Sequence, residues 1–128
     1  MNQILSNASD LYQKARKLMD NDLLEEAIIL FHNSAELDPH FKTLELLGEC
    51  YIRLNRLREA IIPLAAAVGL NKGVRAASLL ADVFLKLKNY NAAADMAEIA
   101  LSREPNNRKA GEVKRFVASI CNDTQNLL

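Results

Sequence analysis

The chain has 128 residues, half of them hydrophobic and 5% aromatic, with no tryptophan, and its 16 basic side chains balance 16 acidic ones. That length argues for one domain, and the charge balance excludes a global field that would drive binding to nucleic acid or membrane. Ala and Leu dominate the apolar set, and β-branched runs bounded by turn signals are missing, so an all-α fold is expected.

Apolar periodicity and punctuation predict seven helices. The first runs from about Ala8 to Met19, with Leu11, Ala15 and Leu18 on one stripe, and Asp20-Asn21-Asp22 breaks it and offers capping oxygens to the next. The second, about Leu24 to Leu37, has Ala27, Leu30, Phe31 and Ser34 inward, Glu25 and Glu26 in its first turn, and a stop at Pro39. The third, about Lys42 to Leu54, carries Leu44, Leu47, Gly48 and Tyr51 inward, with Asn55 as stop and cap. The fourth, about Leu57 to Gly69, contains Pro63, which removes a bond to the carbonyl of Glu59 and should bend it.

Gly69, Asn71 and Gly73 then stand where a proline stop is expected, and their glycines supply freedom for a tight turn. The fifth helix, about Arg75 to Leu87, has Ala77, Leu80, Ala81 and Phe84 inward. Asn89 caps the sixth, about Asn91 to Ser102, which turns Ala93, Ala97, Ala100 and Leu101 inward before Pro105-Asn106-Asn107. A seventh spans about Arg108 to Cys121 with Ala110, Val113, Val117 and Ile120 on its stripe, and the tail from Asn122 to Leu128 is expected to fray.

The second helix is written three times. Ala27, Ala60 and Ala93 recur at a spacing of 33 residues, the mark of stacked supersecondary units. Alanine there fits helix crossings, where a larger side chain would force the helices apart.

These residues resemble the tetratricopeptide repeat (TPR) family. Leu47-Gly48 with Tyr51 matches its first-helix signature; Ala27 with Phe31, then Leu37-Asp38-Pro39, matches the second helix and exit; Ala81, Phe84, Ala93 and Pro105 repeat the pattern. The resemblance implies an α-α superhelix, right-handed, of three helix-turn-helix units plus a C-terminal capping helix. Repeats fall at about 8–40, 41–73 and 74–106, with the cap at about 108–121, all in one domain. Ala15, Leu18 and Lys72 depart from the family pattern, and the period is one short of the usual length of about 34. An unrelated helical bundle is the alternative, though it would not keep a repeat in register three times.

The family's first helices line a concave groove that holds a peptide or a partner's helix. The stripe expected to face it holds Tyr12, Arg16, Lys42, Glu45, Glu49, Ile52, Arg75, Ser78 and Asp82, with Ser9, Met19 and Leu85 at its margins. This implies a non-enzymatic protein-protein interaction module, an adaptor or scaffold. The branch that clamps the acidic carboxyl terminus of heat-shock chaperones needs Lys, Arg and two Asn, where this chain has Tyr12, Arg16, Leu46, Arg75 and Leu79. Only Arg75 fits, and a carboxylate desolvated there would lack its partners. A chaperone of the type III secretion class is the alternative; Leu47-Gly48-Glu49-Cys50-Tyr51 with Leu54 and Ala60-Ile61 is similar to it but generic to the whole family.

No phosphate loop, metal-spaced His-Glu pair or nucleophile elbow is present, so neither enzyme activity nor a cofactor or metal is expected. His32 reads as an outer-face residue and His40 as a turn residue. Cys50 and Cys121 fall within predicted helices and read as reduced apolar residues. Met1 to Asn7 lacks the basic and apolar regions of a signal peptide, and the longest low-polarity run, Ala60 to Leu70, is too short to span a bilayer, so a cytoplasmic location is the default. Charge is uneven along the chain: residues 1–40 carry three basic and seven acidic side chains, and residues 108–128 four and two. The basic set Arg108, Lys109, Lys114 and Arg115 lacks interleaved aromatics, so a solvated cap face is favoured over RNA binding.

The outer face of the second helices can be read by register. It holds Glu25, Glu26, Ile29, His32, Asn33 and Glu36 in the first unit, and Asn91, Ala92, Asp95, Glu98, Ile99 and Ser102 in the third. Both sets are mostly polar. The middle unit has Arg58, Glu59, Ile62, Ala65, Ala66 and Gly69, apolar after its first turn. A partner contact or homodimer centred on Ile62, Ala65 and Ala66 is the expectation, against the plainer reading of an alanine-rich surface.

Overall fold

Helix-forming composition and regular punctuation give a chain that is helical almost throughout. The computed structural model describes residues 2–70 and 73–127, with the side chains of 3–70 and 73–123. Among them it has seven helices: α1 (Asn2–Asp20), α2 (Leu24–Leu37), α3 (Phe41–Arg53), α4 (Leu57–Leu70), α5 (Arg75–Lys86), α6 (Tyr90–Arg103) and α7 (Arg108–Leu127). They form two compact units, Met1–Asn71 and Lys72–Leu128. The expected turn residue Asn71 and the departure at Lys72 lie outside the described residues.

Two ends differ from expectation. α1 begins at Asn2 rather than near Ala8, and α7 continues to Leu127 where fraying was expected. Both extra stretches lack proline and glycine, so nothing in them stops a helix already nucleated by packing. Pro63 sits within α4, which runs unbroken from Leu57 to Leu70, and Gly69 lies inside that helix rather than ending it.

In the first unit α1 and α2 run antiparallel, because the Ser34 hydroxyl late in α2 donates to the carbonyl of Ala8 early in α1 at 2.7 Å. The core gathers Ala15, Met19, Leu24, Ala27, Ile28, Phe31, Leu46, Leu47 and Cys50, and Tyr12, Leu18, Leu30, Tyr51 and Leu54 pack around it. In the second unit Ala77, Leu80, Ala81 and Val83 of α5 are buried, as are Ala93, Ala97 and Ala100 of α6 and Ala110, Val113 and Val117 of α7. Ala27, Ala60 and Ala93 are fully buried at equivalent places.

The helix pairs share one turn. Asp22, Asn55 and Lys88, spaced 33 residues apart, have φ of 62°, 58° and 63°. After them the amides of Leu23, Arg56 and Asn89 donate to the carbonyls of Leu18, Tyr51 and Phe84 at 2.9, 2.8 and 2.9 Å. The amides of Asp22, Asn55 and Lys88 donate to Met19, Ile52 and Leu85 at 3.0, 2.9 and 3.0 Å. This is the Schellman termination, which satisfies the last carbonyls of a helix through one left-handed residue. Asn55 therefore stops α3 through its backbone. Capping of α2 by Asp20-Asn21-Asp22 does not occur, since its N-cap is Leu23 and has no side-chain bond. Asn89 does cap α6, its side chain accepting from the Ala92 amide at 3.2 Å.

Candidate interaction surfaces

Within the first unit a recess of about 290 Å³ opens between α1, the end of α2 and the start of α3. Tyr12 and Lys42, expected in the groove, line it with Ser9, Gln13, His40 and Thr43. Tyr12 stands edge-on to Phe31 with ring centroids 6.0 Å apart, so packing orients its half-exposed ring. The exposed Arg16 guanidinium lies 5.9 Å from the centroid of that ring. His40 is more than a turn residue: its Nδ1 accepts from the Lys42 amide at 3.1 Å and caps α3, and its ring stacks on Phe41 at 4.7 Å. Histidine is not among the preferred N-cap residues, so the sequence carried no signal for this role.

Further along α3 the expected stripe is partly closed. Glu45 is only 4% exposed and takes Lys42 Nζ at 3.4 Å, which corrects its placement as an open groove residue. The reason is that α3 packs against both α2 and α4, so its buried arc is wider than one stripe and takes in Thr43, Leu46 and Cys50 as well. Glu49 and Ile52 are half-exposed, and Glu49 faces Arg53 at 3.6 Å.

In the second unit Arg75 is exposed and Asp82 is half-buried between Lys86 at 3.2 Å and Lys109 at 3.6 Å. Ser78 is a second correction. It is buried, and its hydroxyl lies 3.2 Å from Asn107 Oδ1, which also accepts from the Ala110 amide at 2.9 Å and so caps α7. α5 packs against α7 as well as α6, and this draws Ser78 inward. Three of the four α7 cations meet carboxylates: Arg108 with Glu112 at 3.1 Å, Lys109 with Asp82, and Lys114 with Glu98 at 3.1 Å. That pairing leaves little free positive charge for phosphates.

The outer face of the first unit carries a second, more apolar groove, of about 390 Å³. Leu44, Leu47 and Tyr51 of α3 line it with Ala35 of α2 and with Pro63 and Ala66 of α4. Ile62, Ala65 and Ala66 are all exposed, Ile62 by 78%. At the start of the face Arg56 binds Glu25 at 3.1 Å and Glu59 at 2.6 Å, and its guanidinium lies 5.1 Å from the Tyr51 ring centroid. These carboxylates hold the guanidinium pKa above its ordinary value, the Glu59 hydrogen bond first, and the Glu59 carboxyl is lowered in turn. Among the described residues no cluster of His, Cys, Asp and Glu could hold a metal, and no helix is long and apolar enough to cross a membrane.

Antiparallel helix pairs, a left-handed turn recurring at 33 residues and alanines at each equivalent crossing define this as a helical-repeat protein with the tetratricopeptide-repeat fold. Solved structures agree. The chain is similar to the first TPR domain of Spaghetti (RPAP3) bound to an HSP90 peptide, with TM-score 0.83 and 24% identity over 91% of this chain and 94% of that one. It is similar to the first TPR domain of human RPAP3, with TM-score 0.80 and 24% identity over 95% and 98%, and to MamA, with TM-score 0.84 and 21% identity over 91% and 69%. No family model and no curated protein matches the sequence.

Proposed function

We propose that this chain is a non-enzymatic interaction module, an adaptor or scaffold that holds an extended segment of another protein. The observation that carries the reading is the recess at Tyr12 and Lys42, which sets an aromatic oriented by the core beside a half-exposed cation and the exposed polar side chains of Ser9 and Gln13. Such a surface suits a peptide backbone with one or two apolar side chains. Arg16, Glu49 and Ile52 extend it in the first unit, and Arg75 and Asp82 are the corresponding residues of α5. Similar domains support the class, since RPAP3 TPR domains have been solved with HSP90 and HSP70 peptides. Acidic carboxyl-terminal peptides are not the expected ligand here, because Leu46, at one of the clamp places, is buried and has no amide to offer.

The test is selection of peptides from a random library on the immobilised protein, followed by fluorescence anisotropy. Tyr12→Ala and Lys42→Ala should each weaken the selected peptides with the circular dichroism unchanged, and the peptide SRMEEVD should bind poorly. Selected peptides that bind both variants as tightly as wild type would remove the assignment.

A further inference from the structure

The outer face of the first unit carries both an apolar hollow and an exposed apolar projection. Glu25 at the start of α2 meets Arg56 just before α4, so the two helices begin at the same end. Ala35 and Glu36 late in α2 and Ala66 late in α4 line the groove that lies between them. Ile62, the most exposed large apolar side chain among the described residues, stands on the rim of that hollow and helps line it. Beyond it Ala65, Ala66 and Gly69 present nothing larger than a methyl group, so a second helix can approach closely. A knob and a hole on the same face are what an isologous two-fold contact requires.

The charges agree with the same symmetry. Arg58, exposed in the first turn of α4, has no ion-pair partner among the described residues. Glu36 lies toward the other end of the face, 3.5 Å from the exposed His32, which neutralises it only when protonated. A two-fold axis lying in the contact, with each α4 crossing obliquely over its copy, brings the Arg58 end of each α4 toward the Glu36 end of the other chain's α2. It also carries each Ile62 into the opposite groove.

We propose that the chain self-associates as a two-fold dimer through the α2–α4 face, with Ile62 of each copy seated in the other's apolar groove and Arg58 facing Glu36 across the axis. This contact is independent of the peptide recess, and either can hold without the other.

Sedimentation velocity over a concentration series tests it. The wild-type protein should dimerise, and Ile62→Asp should raise the dissociation constant by at least about tenfold, the equivalent of one buried isoleucine. Because Ile62 is exposed, the circular dichroism of the variant should match wild type. Arg58→Glu and Glu36→Arg should each weaken the dimer, and the two together should restore it, since the swap keeps opposite charges facing across the axis. A wild-type protein that stays monomeric, a dimer indifferent to Ile62→Asp, or a double swap no better than its single members would each overturn the proposal. A partner protein seated on this face instead would show as that first outcome.

Discussion

A β-carbon on Gly48 would lie 2.5 Å from Cγ and 2.6 Å from Cδ2 of Leu64, so the α3–α4 crossing closes on bare backbone. Leu64 is fully buried, and the nearer atom is its branch point rather than a tip that could swing aside. Gly48→Ala would gain about 1 kcal/mol of helix propensity and meet an overpacking penalty of about 1–3 kcal/mol. Because Leu64 has no free space, the penalty wins. Urea titration should show a net loss of up to about 2 kcal/mol, and a variant as stable as wild type would mean that the crossing relaxes.

Lys88 is the member of the three repeated turns least suited to its backbone. Aspartate and asparagine tolerate a positive φ through local hydrogen bonding, whereas lysine has no such compensation. Lys88→Gly should relieve about 1–2 kcal/mol of strain and give back about 0.5–1 kcal/mol through unfolded-state entropy. Thermal unfolding should therefore move up by a few degrees, whereas Asn55→Val should move it down.

The hydroxyl of Ser34 is buried and ties α2 to the Ala8 carbonyl. Ser34→Ala removes one neutral hydrogen bond and should destabilise by about 1 kcal/mol. Hydrogen exchange should rise first in α1, whose early part that bond anchors.

Cys50 is buried among the core residues, and that desolvation pushes its thiol up from 9.0 to about 11, with Arg53 lowering it and Glu49 raising it. A thiol titrates to an anion, so a raised value means that the folded state keeps its proton while the unfolded state gives it up. Stability from this group is intact below about 9 and falls as pH rises from about 9 to about 11. Iodoacetamide at pH 8 should modify the exposed Cys121 and leave Cys50 intact until the protein is unfolded.

Much of the architecture was legible in the sequence. The bounds of α2 follow from Glu25, Glu26 and Pro39, and the 33-residue recurrence of Ala27, Ala60 and Ala93 marks the crossings, because helix period and helix breakers are local properties of the chain. The exposed outer run at Ile62, Ala65 and Ala66 was legible for the same reason: a second helix packed along one side keeps its register. Only the tertiary structure decided the rest. Glu45 and Ser78 sit on the expected stripe yet are buried, because α3 and α5 each pack against two neighbours, and a helix wheel cannot show how wide the covered arc will be. The left-handed turn at Lys88 leaves no trace in a lysine, since that conformation is imposed by the helices it joins. Nor does a single wheel show the apolar groove over Leu44 and Tyr51: its walls come from α2 and α4, and its floor from α3.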